Sequence, residues 1–226
     1  MTLPDIIAID GPASSGKSTV GYLVAKRLDY LFFDTGIMYR AATLAALTRL
    51  GRVDQEQDVV KLAQNLDIDI LPPSIADTRL ADIILDGEDI TWQVRTREVD
   101  ANVSVVSAYK GVRDAMTSQQ RRIGMKGRVV MVGRDIGTVV LPEAGLKIYL
   151  DASVEERARR RYAELVARGE DVSYIKILED MKKRDEYDSN RLIAPLKPAV
   201  DAVVLRTDGM SVEQVVDAIV FLSEAC

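Results

Sequence analysis

The chain has 226 residues and 47% hydrophobic content, enough for one well-buried domain carrying a small insertion. Its 35 acidic against 30 basic residues leave a formal charge of −5, which argues against a protein that tracks a nucleic-acid backbone. There is no histidine, which excludes Ser-His-Asp triads, histidine metal sites and imidazole acid–base chemistry together, and the one cysteine, Cys226, rules out an internal disulfide and fits a reducing cytoplasm.

In chain order, an apolar run of strand length, Asp5 to Asp10, leads straight into Gly11-Pro12-Ala13-Ser14-Ser15-Gly16-Lys17-Ser18-Thr19. Gly11, Gly16, Lys17 and Ser18 stand at the fixed positions of a phosphate-binding loop, G-x-x-x-x-G-K-[ST]. The two glycines let successive N–H groups turn inward around an anion, and the helix that follows directs its positive end there. Lys17 then reaches the outer phosphates and Ser18 offers a hydroxyl to Mg2+. Val20, Leu23, Val24 and Leu28 recur at helical spacing, so the required strand-loop-helix context is present. The implied ligand is ATP or another nucleoside triphosphate.

A second short strand, Tyr30 to Phe33, ends at Asp34-Thr35-Gly36 and is followed by a helix from about Ile37 to Leu50. Residues 59–98 read as a small antiparallel insert, with Asp67 to Leu71 alternating and an Asp86-Gly87 turn joining two strand-like runs. Helical pattern returns from about Ser104 to Arg122. The run Arg128 to Val132 is a buried strand leading into Gly133-Arg134-Asp135-Ile136-Gly137-Thr138, and Leu146 to Asp151 is a fourth core strand. Helices are expected over 154–168, stopped by Gly169, and over 174–191. Ala202 to Leu205 is the fifth strand. The last helix opens on a Ser211/Gln214 capping box and buries Val212, Val215, Val216, Ile219 and Leu222. Strands alternating with helices predict an α/β fold: a five-stranded parallel sheet of P-loop type with helices on both faces, a small antiparallel insert at 59–98 and a helical lid at about 154–191, with 1–58 and 99–226 forming the core. Trp92 and Tyr39 read as packing residues. No stretch approaches the length of a membrane span, and the N-terminus carries no secretory pattern, so a soluble, unexported chain is expected.

Arginines gather where phosphates would be held. Arg40 follows the second strand and Arg134 the third, while Arg157, Arg160 and Arg161 share one helix face and Arg184, Asp188 and Arg191 another. Taken singly these are solvated, salt-bridged helix faces; taken with the phosphate loop they suit phosphoryl transfer, which needs positioning and charge neutralisation more than covalent chemistry. A phosphate acceptor is already an oxyanion and needs no base. A GTPase switch is disfavoured because no Asn-Lys-x-Asp element is present. A nucleotide sensor without turnover is the alternative of another class.

The phosphate loop, Asp34 to Arg40, Gly133 to Pro142, Lys147 to Ser153 with Glu156 to Arg161, and Arg184-Asp185 through Asp188, Arg191 and Ala194-Pro195-Leu196 together resemble the bacterial cytidylate kinases, in family order over nearly the whole chain. The resemblance implies transfer of the γ-phosphoryl group of ATP to CMP or dCMP with Mg2+; a kinase acting on another monophosphate such as UMP is the alternative. Charge, cysteine usage and hydropathy lead us to expect a cytoplasmic chain that binds neither nucleic acid nor membrane, and a monomer is expected for lack of an exposed apolar stripe. It implies that Gly11 to Thr19 bind ATP and that Ser18 meets the metal. On the acceptor side, Ser104, Arg113 and Asp135 would read cytosine, Arg40 and Arg134 hold the CMP phosphate, and Thr35, Arg184, Asp188 and Arg191 make sugar and hinge contacts. Lys17, Arg134, Arg157 and Arg161 would be catalytic, the last two from a lid closing over ATP. Val132 stands where many relatives carry an acidic residue, and Thr35 where relatives often have serine.

Overall fold

The computed structural model describes residues 3–167, 169–191 and 193–225. Arg168, where the sequence ended one helix, and Cys226 lie outside the described residues. Among the described residues there are eight strands and eight α-helices. The strands are β1 (Ile6–Asp10), β2 (Leu31–Asp34), β3 (Ile68–Leu71), β4 (Asp82–Leu85), β5 (Glu88–Asp89), β6 (Val129–Gly133), β7 (Leu146–Asp151) and β8 (Val203–Arg206). The eight α-helices are α1 (Lys17–Leu28), α2 (Gly36–Leu50), α3 (Glu56–Ala63), α4 (Arg97–Ala108), α5 (Lys110–Gly124), α6 (Val154–Ala167), α7 (Tyr174–Asn190) and α8 (Val212–Glu224).

The expected five-stranded parallel sheet is there, in the order β2-β6-β1-β7-β8. β1 is buried at every residue, as a parallel strand covered on both faces should be, and it pairs with β7 so that Asp10 lies opposite Tyr149. β8 is an edge strand, which explains why its Val203 and Val204 are exposed despite their type. Packing divides the chain into two compact units, one of residues to Asp29 and from Val130, the other Tyr30–Val129.

In the first unit α8 packs against α1, and α6 lies along α7. The Ser211/Gln214 capping box forms as expected, and Val215, Val216 and Ile219 are buried. Val212 is exposed instead, because at the first helical residue it stands beside a cleft rather than over the sheet. Gly169 takes φ 77°, the left-handed value that ends a helix.

In the second unit β3, β4 and β5 make an antiparallel sheet inside the 59–98 stretch, and Asp86 (φ 50°) with Gly87 (φ 87°) forms the two-residue turn that the sequence signalled. Arg79 ties this sheet together: its guanidinium donates to Asp77, to Asp82 at 2.8 Å and to Asp89 at 2.7 Å. Trp92 is not a core residue. It is 45% exposed, donates from its indole nitrogen to Asp77 and carries Arg95 over its ring, because the Arg79 cluster holds it at the surface. Tyr39 is half-buried beneath the guanidinium of Arg113.

Two further differences concern helices. α3 was not foreseen, although Glu56 and Asp58 in its first turn and Lys61 in its last suit the helix dipole. The single helix expected over 104–122 is two, α4 and α5, broken where Tyr109 takes an extended backbone (ψ 123°), and α4 begins earlier, capped by Thr96.

α3 and α5 touch at Gly111. A Cβ there would lie 2.4 Å and 2.9 Å from the two methyl carbons of Val60 and 3.2 Å from its Cβ, so no rotamer of Val60 escapes it. Alanine gains about 1 kcal/mol of helix propensity over glycine, but overpacking costs about 1–3 kcal/mol. We expect Gly111→Ala to lower the urea midpoint, by up to about 2 kcal/mol of unfolding free energy.

Candidate phosphate-transfer site

The phosphate loop runs from the end of β1 to the first turn of α1, and three residues make its bend: Gly11 (φ 151°), Ser14 (φ 58°) and Gly16 (φ 94°). Glycine is required at 11 by space as well as angle, since a Cβ would stand 2.2 Å from the backbone oxygen of Leu150 in β7. Lys17 folds back over the loop, its Nζ donating to the carbonyl of Pro12 at 2.5 Å and to Ser15 Oγ at 3.3 Å. Ser15 is buried, while Ser18 and Thr19 are exposed.

The loop opens on a cleft of about 500 Å3 lined by Ser14 to Val20, by Arg160, Arg161 and Glu164 of α6, and by Thr207, Met210, Val212 and Val215. Arg160 is held as one wall, donating to Glu156 at 2.8 Å and to the carbonyl of Thr207 at 2.8 Å. Arg161 lies beside Glu164 at 2.8 Å. Arg157 is placed differently. It is 4% exposed, donates to the carbonyls of Ala152 (3.0 Å) and Ala13 (3.1 Å), and forms an ion pair with Asp185 of α7. It therefore ties α6 to both the phosphate loop and α7, while Arg160 and Arg161 line the cleft.

A second cluster in the same unit follows β6. Arg134 Nε donates to the buried Asp188 of α7 at 2.5 Å, and Arg191 lies 4.0 Å from both Asp188 and Asp135. Arg191 also donates to the carbonyl of Ala194 at 2.6 Å. Four of the residues marked in the sequence, Arg134, Asp135, Asp188 and Arg191, are thus brought together as alternating charges; Arg184 is exposed on α7.

The remaining marked residues belong to the 30–129 unit. Thr35 is buried at the end of β2, next to the Asp34 carboxylate that accepts from the Gly36 amide at 3.0 Å. Arg40 pairs with Asp100 at 2.5 Å and donates to the carbonyl of Val94 at 3.1 Å. Arg113 is buried in α5, its guanidinium 5.4 Å from the Tyr39 ring, and Ser104 is exposed on α4.

Sequence reasoning set Arg160 on the face of Arg157 and Arg161 without giving it a role of its own, missed Thr207, Met210 and Val215 as cleft residues, and read Asp10 only as the end of a strand. A glutamate four residues before Arg160 was visible; what Thr207 and Met210 face was not, because they lie in an irregular turn after β8. Asp10 is 4% exposed and accepts from the amides of Ile136 and Gly137, each at 2.8 Å. Burial pushes its pKa up to about 6 against the pull of these two amides, with Asp135 adding to the rise and Lys17 opposing it.

Among the described residues no three His, Cys, Asp or Glu side chains gather to hold a metal ion. The exposed Ser18 hydroxyl beside the cleft suits a hydrated ion that takes most of its oxygens from phosphate and water, which is the habit of Mg2+.

Gly11→Ala should abolish binding of a fluorescent ATP analogue, since both the backbone angle and the Leu150 carbonyl oppose any side chain there. Asp10 carries a pH signature. A carboxyl whose pKa is higher in the folded chain adds stability that is full below about 4 and is lost as pH rises through about 6. The difference in unfolding free energy between wild type and Asp10→Asn should therefore shift by up to about 3 kcal/mol between about pH 4 and about pH 7, in the direction that favours wild type in acid.

A family model described as cytidylate kinase matches residues 7–224. A cytidylate kinase of Herpetosiphon aurantiacus is 50% identical over 222 residues, covering 98% of this chain and 95% of that protein. One of Bacillus subtilis is 44% identical over 213 residues, covering 94% and 93%. The crystal structure of a shikimate kinase from Bacteroides thetaiotaomicron superposes with a TM-score of 0.50 at 11% identity, over 97% of this chain and 98% of that one, a likeness of fold alone. With a phosphate loop in its strand-loop-helix setting and relatives of this identity over almost its full length, the chain belongs to the cytidylate kinase family.

Proposed function

We propose that the protein transfers the γ-phosphoryl group of ATP to CMP or dCMP, giving ADP and CDP or dCDP. Family membership across residues 7–224 carries this reading, and the cleft beside the phosphate loop supports it. In this reading the amides of residues 11–19 cradle the donor phosphates and Lys17 leaves its partners on Pro12 and Ser15 for the outer phosphates. Arg160, Met210, Val212 and Val215 give the donor base a wall that is flat on one side and apolar on the other.

The acceptor phosphate attacks the γ-phosphorus through an oxygen that is already anionic, and the bond to the departing ADP oxygen breaks in line. No proton need be removed first, so a chain without histidine loses nothing. Arg134 and Arg161 would neutralise charge on the transferring group, and Arg157 would keep the phosphate loop in place. On the acceptor side Arg40 would hold the CMP phosphate, Arg113 and Asp135 would face the cytosine edge with Ser104, and Thr35, Arg184, Asp188 and Arg191 would hold the sugar. Mg2+ would add charge neutralisation across the phosphates, with Ser18 as its protein ligand. Closure of α6 and α7 would keep water from competing as acceptor. We place this chemistry in the cytoplasm, which the single cysteine suits, and in a monomer.

A coupled assay of ADP release with CMP, dCMP, UMP and AMP tests the reading. The cytosine nucleotides should lead by about tenfold or more in kcat/KM, and Arg113→Met should erase most of that lead while leaving the KM for ATP within about twofold. A preference for UMP or AMP in wild type would overturn it.

A further inference from the structure

Asp10 makes no part of the phosphate grip, yet it is buried between that grip and the turn after β6. Its two carboxylate oxygens take one amide each, Ile136 N–H and Gly137 N–H, both at 2.8 Å. Those amides open the wide helical turn Ile136–Val140, in which Leu141 N–H reaches the carbonyl of Ile136 at 2.7 Å and Val140 N–H that of Asp135 at 3.1 Å. The first amides of such a turn have no partner within it. Asp10 supplies one from 126 residues away in sequence. Immediately before the clamped amides stand Arg134 and Asp135, and immediately after Asp10 stands Gly11. The same carboxylate therefore fixes where the phosphate loop begins and where the Arg134–Asp135 pair ends.

Space around the clamp is closed. A Cβ on Gly137 would already stand in van der Waals contact with Asp10 Oδ2, at 3.4 Å, and 3.1 Å from Lys147 Cδ on the other side. A carboxylate is costly to bury, and this one is held here with both of its oxygens bonded to the turn that follows Arg134 and Asp135.

We infer that Asp10 is a positioning residue for phosphoryl transfer, setting Arg134 and Asp135 in register with the phosphate loop by clamping the turn that follows them. The inference rests on the kinase reading given above. Asp10→Asn keeps the shape but turns an amide N–H toward one of the two amides, so one bond is lost and the turn is released on that side.

The test is a double-mutant cycle of Asp10→Asn and Arg134→Ala, assayed with ATP and CMP. Asp10→Asn alone should lower kcat by about tenfold to a hundredfold, because a small misplacement of a charged group is costly, while the Kd for a fluorescent ATP analogue stays within about twofold. In the Arg134→Ala background the same substitution should cost at least about threefold less than in wild type, since one of the two groups it positions is gone. Penalties that multiply in full, a loss confined to ATP affinity, or a lower unfolding midpoint with kcat and KM unchanged would each overturn the inference. Should Asp10→Asn fail to fold, Asp10→Glu, which keeps the charge but moves both oxygens by a methylene, must show the same lowered kcat and the same non-additivity with Arg134→Ala. If wild type prefers another monophosphate, the cycle is run with that acceptor and the choice of CMP alone falls; if wild type phosphorylates none, both readings fall.

Discussion

The chain can pass from β1 into the phosphate loop only because residue 11 has no side chain. The backbone oxygen of Leu150 stands where any Cβ would be, so the parallel pairing of β1 with β7 and the bend at Gly11 require one another. From this follow the inward-turned amides, the entry of α1 with its positive end on the same spot, and the reach of Lys17 across the loop. β7 answers on its own side: it runs into α6, whose Arg157 returns to the carbonyl of Ala13. The loop is thus gripped at its first residue by a strand and near its middle by a guanidinium.

Charge explains why a protein of net −5 can hold polyanions. Its site arginines are already paired, and the pairs differ in kind. Arg40 and Asp100 form a half-exposed pair, with the aspartate 53% open to solvent. Such pairs contribute about 0–1 kcal/mol, so a phosphate carrying more charge than a carboxylate displaces the partner readily. Arg157 and Asp185 are a different case, since the guanidinium is almost wholly buried and bonded to backbone as well; breaking that pair leaves a buried charge alone. The exposed pair is therefore weakly held, and the buried one is held by backbone as well as by charge.

Much of this was legible in the sequence. The phosphate loop, the hairpin turn at Asp86-Gly87 and the capping box of α8 are local chemistry, written in residues that few other conformations need. What escaped was non-local or masked. The break at Tyr109 carries no glycine or proline, so periodicity ran through it. Trp92 has the composition of a core residue and is held outside by Asp77, fifteen positions away. The role of Asp10 depends on two amides 126 and 127 residues distant. That Arg157 is buried against the phosphate loop while Arg160 lines the cleft depends on which way a helix is rotated about its axis, which spacing alone leaves open.

The two ionic centres respond to acid at different points. Around Arg79 the guanidinium holds Asp77 well below the usual carboxylate range, and Thr91 together with Arg79 pulls Asp89 down to about 2. Asp10 takes up its proton near 6. In mild acid, at about pH 5, the carboxylate next to the phosphate loop would be discharged while the small antiparallel sheet kept its fastenings. Acid would therefore reach the clamp beside the phosphate loop before it reached the fastenings of the small sheet.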